Sequence, residues 1–503
     1  AMRAGVFPTA IRDSLNGRVP FPNNTIPSAR IDPISAKVLA YIPSPNTAYP
    51  ARNFNFLRQS SQTDKHLITV RTDHQLGPRD LLYGRYTMDD EQVVDAPRLP
   101  SGVGGLISPI RAQGFTINET HTFGPAFINQ GSFGWTRFSL QQNDTFAFQK
   151  DVAGELGIKL VGLGADPSGW AFPAVTIQGF LSPAGNFPRP RSTDIFQARD
   201  TMFLNRGKHG IRIGGDFRGY TSDNFSPGQN NGAFTFQGTF TSNAFADFLL
   251  GWPLQATRNV NPASQNATMR YLGFFIADDW KVNDRLTLNL GIRYELETVL
   301  KEQDNEAARF DLATGKVIFP NALQSRVDAF YKGLNPAVPY GFFDGGLYNL
   351  DKNNFAPRVG LAYRPFRHQR TVVRGGFGMF YNAPQMTTLL SSVSAPPFSL
   401  RPSEISGNDV PEVRWNPAGN PEQAIRPPFT CFCLVTPDFP YSYVLQWAFN
   451  VQQALTWDIS LEVGYLGSHT LRLIAFGQKN LTTPGAGNFL LRAPYPQWDR
   501  IQS

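Results

Sequence analysis

Alternation of apolar and polar residues with a period of two runs through most of the chain. Its clearest stretch is Arg285–Glu295, RLTLNLGIRYE, where Leu286, Leu288, Leu290, Ile292 and Tyr294 fall on one side and Thr287, Asn289, Gly291, Arg293 and Glu295 on the other. Alternate side chains of an extended strand point to opposite faces of a sheet, so this pattern predicts a strand with one apolar face. Around 457–465, Ile459, Leu461, Val463 and Tyr465 oppose Asp458, Ser460, Glu462 and Gly464. Tyr443, Leu445, Trp447, Phe449 and Val451 oppose Gln446, Asn450 and Gln452, and Val359, Leu361 and Tyr363 oppose Arg358, Gly360 and Arg364. In Tyr271–Trp280 both sides carry aromatics, and the pattern does not choose an apolar face. Phe234, Phe236 and Phe240 suggest a short extra hairpin, with NAFADFLLGW (243–252) as a short helix or turn packed against it.

The predicted strands come in pairs across short turns. Six hairpins are expected: about 66–88 through LGPRD, 114–140 through FGPAF, 194–220 through NRGKH, 270–297 through KVNDR, 355–381 through RPFRHQR and 442–470 through QALTWD. Between them lie the long segments 89–113, 141–193, 221–269, 298–354 and 382–441, rich in Pro, Gly, Asn and Ser. Such lengths are uncommon in compact soluble domains, whereas transmembrane β-barrels have short turns on one side and long loops on the other. Tyr294, Tyr363, Tyr381, Tyr465, Trp280 and Trp457 gather near strand ends, as interfacial girdles would place them. A β-sandwich or propeller would also alternate, but the hairpins share no blade motif.

Composition sharpens this picture. Charged residues make up only 17% and aromatics 13%, with 41 Phe; soluble domains average about 25% charged residues. No run approaches the roughly 18 apolar residues of a spanning helix, and the most apolar stretch, Ala244–Leu254, is interrupted by Asp247, Gly251 and Pro253. The net charge is +7, spread without a basic run or basic helix, so no nucleic-acid partner is expected. Cys431 and Cys433 are too few for a disulfide framework and are expected as two loop thiols. AMRAGVFPTAIRD lacks a signal-peptide layout, so the chain is expected to be a piece of a longer exported protein.

Particular strings carry a family resemblance. FFIADDWKVNDRLTLNLGIRYE (274–295) and RGKHGIRIGGDFR (206–218) resemble strand–turn–strand blocks of TonB-dependent outer-membrane receptors. NAFADFLLGWP, FAPRVGLAYRPF, RTVVRGGFGMFYN and PFPNNTIPSARIDPISAKVLAYIPSPN (20–46) resemble further blocks, and together they are similar to the Oar-like branch. The resemblance implies an all-β, antiparallel transmembrane barrel with long extracellular loops. About 12 strands would come from this chain, of about 22 in the family. It further implies that 1–65 and 471–503 are extracellular loops flanking the hairpins of 66–470. The plug, TonB box and C-terminal strands are absent from the sequence.

For catalysis the chain offers little. His66, His74, His121, His209, His368 and His469 are scattered without paired metal-ligand spacing, and GxSxG and P-loop patterns are absent. No enzyme activity, cofactor, metal or catalytic residue is expected. A wide barrel tolerates charge on its non-lipid face, which makes Arg71, Asp73, Arg85, Arg212, Asp216, Arg218, Arg293, Glu295, Arg374 and Glu462 candidates for the lumen wall. They would solvate the wall and hold a plug, or touch substrate. Trp170, Phe172, Phe180, Phe342, Phe343 and Tyr348 stand in the long segments, where they would stack on ligand or pack on one another. The resemblance implies a monomeric barrel in outer-membrane lipid, partnered by the TonB complex through a plug, with an unspecified extracellular ligand. Two functions remain open: energised uptake of a metal chelate, oligosaccharide or peptide, and a surface structural or adhesion barrel.

Overall fold

The period-two runs form long strands because their β-branched and aromatic residues pack well on a pleated surface. In the computed structural model, the described residues are 1–48, 54–160, 165–186, 188–226, 231–259, 263–366, 370–400, 403–406, 410–416, 427–431, 433, 435–455, 458–475, 477–485 and 492–501. His368 and Trp457 lie outside them. Twelve long strands are β1 (Gln62–Gly77), β2 (Asp80–Asp95), β3 (Leu106–Gly124), β4 (Phe127–Leu140), β5 (Arg191–Arg206), β6 (His209–Ser226), β7 (Ala263–Asn283), β8 (Leu286–Glu297), β9 (Phe355–Tyr363), β10 (Thr371–Asn382), β11 (Ser442–Ala454) and β12 (Ser460–Leu471). Each pairs antiparallel with its neighbours in chain order, from β1 at one end to β12 at the other. Two short strands attached to β3 and β7 bring the sheet to 14 strands. β1 and β12 pair with each other nowhere among the described residues.

A meander of this kind puts alternate connections at opposite ends. At one end the turns are tight; that between β5 and β6 uses Gly207 at φ 59°, a left-handed conformation that costs glycine nothing. At the other end the long connections do not remain loose. Asp32 caps the helix Pro33–Tyr41 by accepting from the amides of Ile34 and Ser35. Asn243 caps the helix Ala244–Leu249 in the same way. Phe234 and Phe236 lie on a short strand, Ala233–Phe236, but its partners are Gln255–Thr257 and Ala174–Ile177 rather than an adjacent hairpin arm.

Among the described residues, these elements bury three apolar cores. The largest joins the N-terminal segment (Phe7, Ile11, Val38) to Phe172, Phe234, Phe236, Phe248 and Trp415. A second gathers Phe310, Phe319, Tyr331, Phe398, Phe429 and Trp498, and a third Leu300, Tyr348, Leu389 and Val393. The connections therefore form a cap over the long-loop end of the sheet. Cys431 and Cys433 correct the sequence reading: they are joined in a disulfide, with Cα atoms 5.3 Å apart, and both are buried in the second core. Residues two apart in a bent segment come within the separation that a disulfide bridges.

Candidate functional site

Directly paired residues of an antiparallel sheet share a face, so the register assigns every side chain of the strands. One face carries Ile68, Val70, Tyr86, Ile117, Phe133, Phe196, Ile213, Phe217, Phe274, Ile276, Leu290, Ile292, Val359, Phe377, Phe449, Val463 and Tyr465, all exposed. The ambiguity at Tyr271–Trp280 resolves here: Phe274 and Ile276 join this apolar face, and Tyr271 and Phe275 the other.

All ten charged residues singled out from the sequence fall on the opposite face. Arg71 pairs with Arg85, Arg85 with Thr116, and the row continues through Gly134 and Gln197 to Arg218 and Tyr271. Asp73, Arg212, Asp216, Arg293, Glu295, Arg374 and Glu462 occupy neighbouring rows of the same face. Leu67, Leu81, Phe380 and Leu466 interrupt it with exposed apolar groups.

The ten do not form one cluster. Arg293 sits at the centre of the densest group, donating through Nε to Glu295 at 2.7 Å and through Nη2 to the Tyr271 hydroxyl at 2.7 Å and to Asp216. Arg218 approaches Asp216 at 3.5 Å and lies over the Tyr271 ring. Asp216 is buried, and in that setting ion pairs hold only with good geometry on both partners. The space for the Arg293 guanidinium exists because Gly273, between Asp216 and Glu295 in the register, carries no side chain. Elsewhere on this face the contacts are separate: Arg71 with Asp73, Arg212 with Asp279, Arg374 with Gln452, and Glu462 with Asn450.

Residues not singled out from the sequence, although alternation places Asn289, Arg358 and Gln446 on the polar side of their strands, complete this face. Asp279, Asn289, Arg358, Gln446 and Ser468 line a trough of about 800 Å³ on the same face, thinned by Gly291, Gly360, Gly376 and Gly378. Extending the alternation one strand either way from Arg293 finds Asp279 and Arg358, while Gln446 and Ser468 come from β11 and β12, which only the pairing aligns with them. The aromatics of the connections pack on one another: Phe172 on Tyr41, Phe180 on Phe245, Tyr348 on Phe439 and Phe342 on Tyr340, while Arg309 covers the Phe343 ring. Trp170 is half-buried. His121, read as one of six scattered histidines, is brought beside Asp80 and Glu119 by strand pairing. The signal was Glu-x-His on an alternating strand.

Over residues 1–503 the chain matches the family model described as outer membrane beta barrel domain. It belongs to that family. This outer-membrane barrel chain therefore resides in the outer membrane. No curated protein is detectably similar to it. Among solved structures, it is similar to the outer membrane transporter YddB from Escherichia coli, at 9% identity and a TM-score of 0.50 over 88% of this chain and 43% of that one. The copper transporter OprC aligns at 10% identity and a TM-score of 0.42, over 81% of this chain and 48% of that one. The ferric-catecholate import receptor Fiu from E. coli K12 aligns at 10% and 0.42, over 86% and 53%. The barrel chain thus spans roughly half the length of these neighbours. The outer-membrane barrel implied by the strand strings is borne out.

Proposed function

We propose that this chain is wall and outer mouth of a transporter that takes up a bulky solute across the outer membrane, with energy arriving through TonB and a plug. The observation that carries this reading is the two-faced sheet: an exposed apolar face on one side and all ten predicted charged residues on the other. In a membrane, the apolar face meets lipid and the charged face an aqueous lumen. Arg71, Asp73, Arg85, Arg212, Asp216, Arg218, Arg293, Glu295, Arg374 and Glu462 are accordingly proposed as lumen residues. The tight turns then face the periplasm and the folded cap faces outward, where a ligand arrives. YddB is named as an outer membrane transporter, which supports uptake over a purely structural role. The Oar-like branch, a monomeric barrel and a metal chelate, oligosaccharide or peptide as solute belong to the same proposal.

Deletion and restoration of the full-length gene tests it. Cells are offered labelled ferric chelates, oligosaccharides and peptides, with and without a protonophore. Uptake of one class that needs both the gene and the proton gradient is the expected result. Uptake unchanged for every class, with surface adhesion lost on deletion, would establish the structural alternative instead.

A further inference from the structure

We propose that Asp80, Glu119 and His121 bind a divalent first-row transition metal, with zinc the reference ion, near the tight-turn end of the sheet. The trio is set by strand register. Glu119 and His121 occupy alternate positions of β3 and so share a face, and Asp80, first residue of β2, is the direct register partner of His121. One ligand atom from each residue lies within 4.8 Å of the others. An imidazole with two carboxylates is a nitrogen and oxygen donor set that suits zinc, manganese or iron better than the all-oxygen cations. The His121 ring is held from the side by Phe123, at 4.2 Å between centroids, and Phe123 stacks on Phe127.

The surroundings lack the positive charge that these acids need. The trio belongs to the apolar face, one pair away from Ile117 and Phe133. Beyond Glu119 stands Gly131, and across it comes a third acid: a Cβ on Gly131 would lie 3.9 Å from Glu119 Oε2 and 3.8 Å from Asp200 Oδ2. Asn129 fixes Asp200 through its amide, at 3.0 and 3.2 Å. Among the described residues, Asp80 has only His121 as a charged partner, and no Lys or Arg pairs with Glu119 or Asp200. On the charged face, by contrast, Asp73, Asp216, Asp279 and Glu295 each hold an arginine. Carboxylates gathered on the lipid side of the sheet without a counter-charge repel one another, and a bound cation supplies one. The His121 Nδ1 already faces the Asp80 carboxylate, so two of the three ligand groups meet without rearrangement. The charge argument rests on the membrane reading above, while the ligand trio rests on register alone.

The test uses the full-length protein purified in detergent, stripped with a chelator and titrated with zinc by equilibrium dialysis. One equivalent should bind, and Glu119→Gln or His121→Ala should weaken it by at least about tenfold. His209→Ala is the control. That histidine makes the other His–Asp pair of this face, with Asp278 at 2.7 Å, and no third ligand joins it among the described residues. Binding should be unchanged in the control. Heat-modifiable migration in gels reports barrel assembly of each variant. Absence of a zinc equivalent in the wild type, or equal affinity in assembled His121→Ala, overturns the proposal. If neither ligand variant assembles, the cobalt-loaded wild type decides: a spectrum without an imidazole ligand overturns the site. None of these readouts depends on uptake, so failure of the transport reading is separately visible.

Discussion

Arg293 on β8 reaches past Gly273 of β7 to the carboxylate of Asp216 on β6, spanning three strands with one side chain. A Cβ at Gly273 would occupy the place of the guanidinium. Gly273→Ala should therefore displace Arg293 and leave Asp216 buried without its main partner, at a cost of about 3–5 kcal/mol. Asp216→Asn should cost less, because the amide remains neutral and still accepts from Arg293. Denaturant unfolding of the full-length protein in detergent measures both, and equal losses would place the penalty in the β7 backbone instead.

Leu290 and Asn289 are adjacent on β8 and stand on opposite faces. Leu290→Arg should cost about 2–4 kcal/mol if it lies near the bilayer midplane, and Leu288→Arg, closer to the turn, less. Asn289→Arg should be nearly neutral, since Asn289 already donates to Asp279 on the polar side. Refolding equilibria in lipid vesicles give the three values; similar penalties at 289 and 290 would contradict the two-faced sheet.

The strands were legible because every second residue repeats the same demand, and ten positions could be assigned to one face from alternation alone. The hub at Arg293 was not, since its partners Asp216 and Tyr271 lie on other strands and only pairing aligns them. The cap was hidden for a different reason. Ser35, Phe234, Phe236 and Trp415 meet in one core although they are far apart in sequence and show no common period. The disulfide of Cys431 and Cys433 was likewise invisible, because spacing does not reveal that the two side chains are buried and turned toward each other.

Phe236 is wholly buried between Phe248, at 5.5 Å, and Trp415, at 5.3 Å. Phe236→Ala should destabilise the first core by about 3–5 kcal/mol. Its effect should stay in the cap: faster proteolysis of the connections with heat-modifiable strand structure retained. Loss of both together would mean that the cap and sheet unfold as one unit.

Acid should strengthen this cap. Asp247 is fully buried and accepts from the hydroxyl and amide of Thr241 at 2.6 and 2.9 Å. Burial pushes its carboxyl up to about 6 against the pull of those hydrogen bonds, and burial does the same to Asp144. Both carboxyls hold a proton more tightly folded than unfolded. Cap stability should therefore fall as pH rises from about 4 to about 6, by an amount on the order of 2 kcal/mol per acid, and level off above. Hydrogen exchange of residues 234–252 follows it, and Asp247→Asn should flatten part of the slope.

Orientation has its own measurement. Epitope tags placed within 141–160 should be reached by antibody on intact cells, and tags in the turn at 77–80 only after the outer membrane is opened. Labelling of both on intact cells would reverse or abolish the assigned sidedness.

Trp415 donates to the Ser35 hydroxyl at 2.8 Å, Ser35 donates to the Phe248 carbonyl at 2.6 Å, and the Trp415 ring rests on Phe234. Three stretches of chain, from before β1, between β6 and β7, and between β10 and β11, are thus tied at a single point. For such a protein, surface variation is a collective property. A connection lengthened or exchanged by itself breaks a shared keystone, so new shapes at this end of the sheet must be inherited, or engineered, as matched sets.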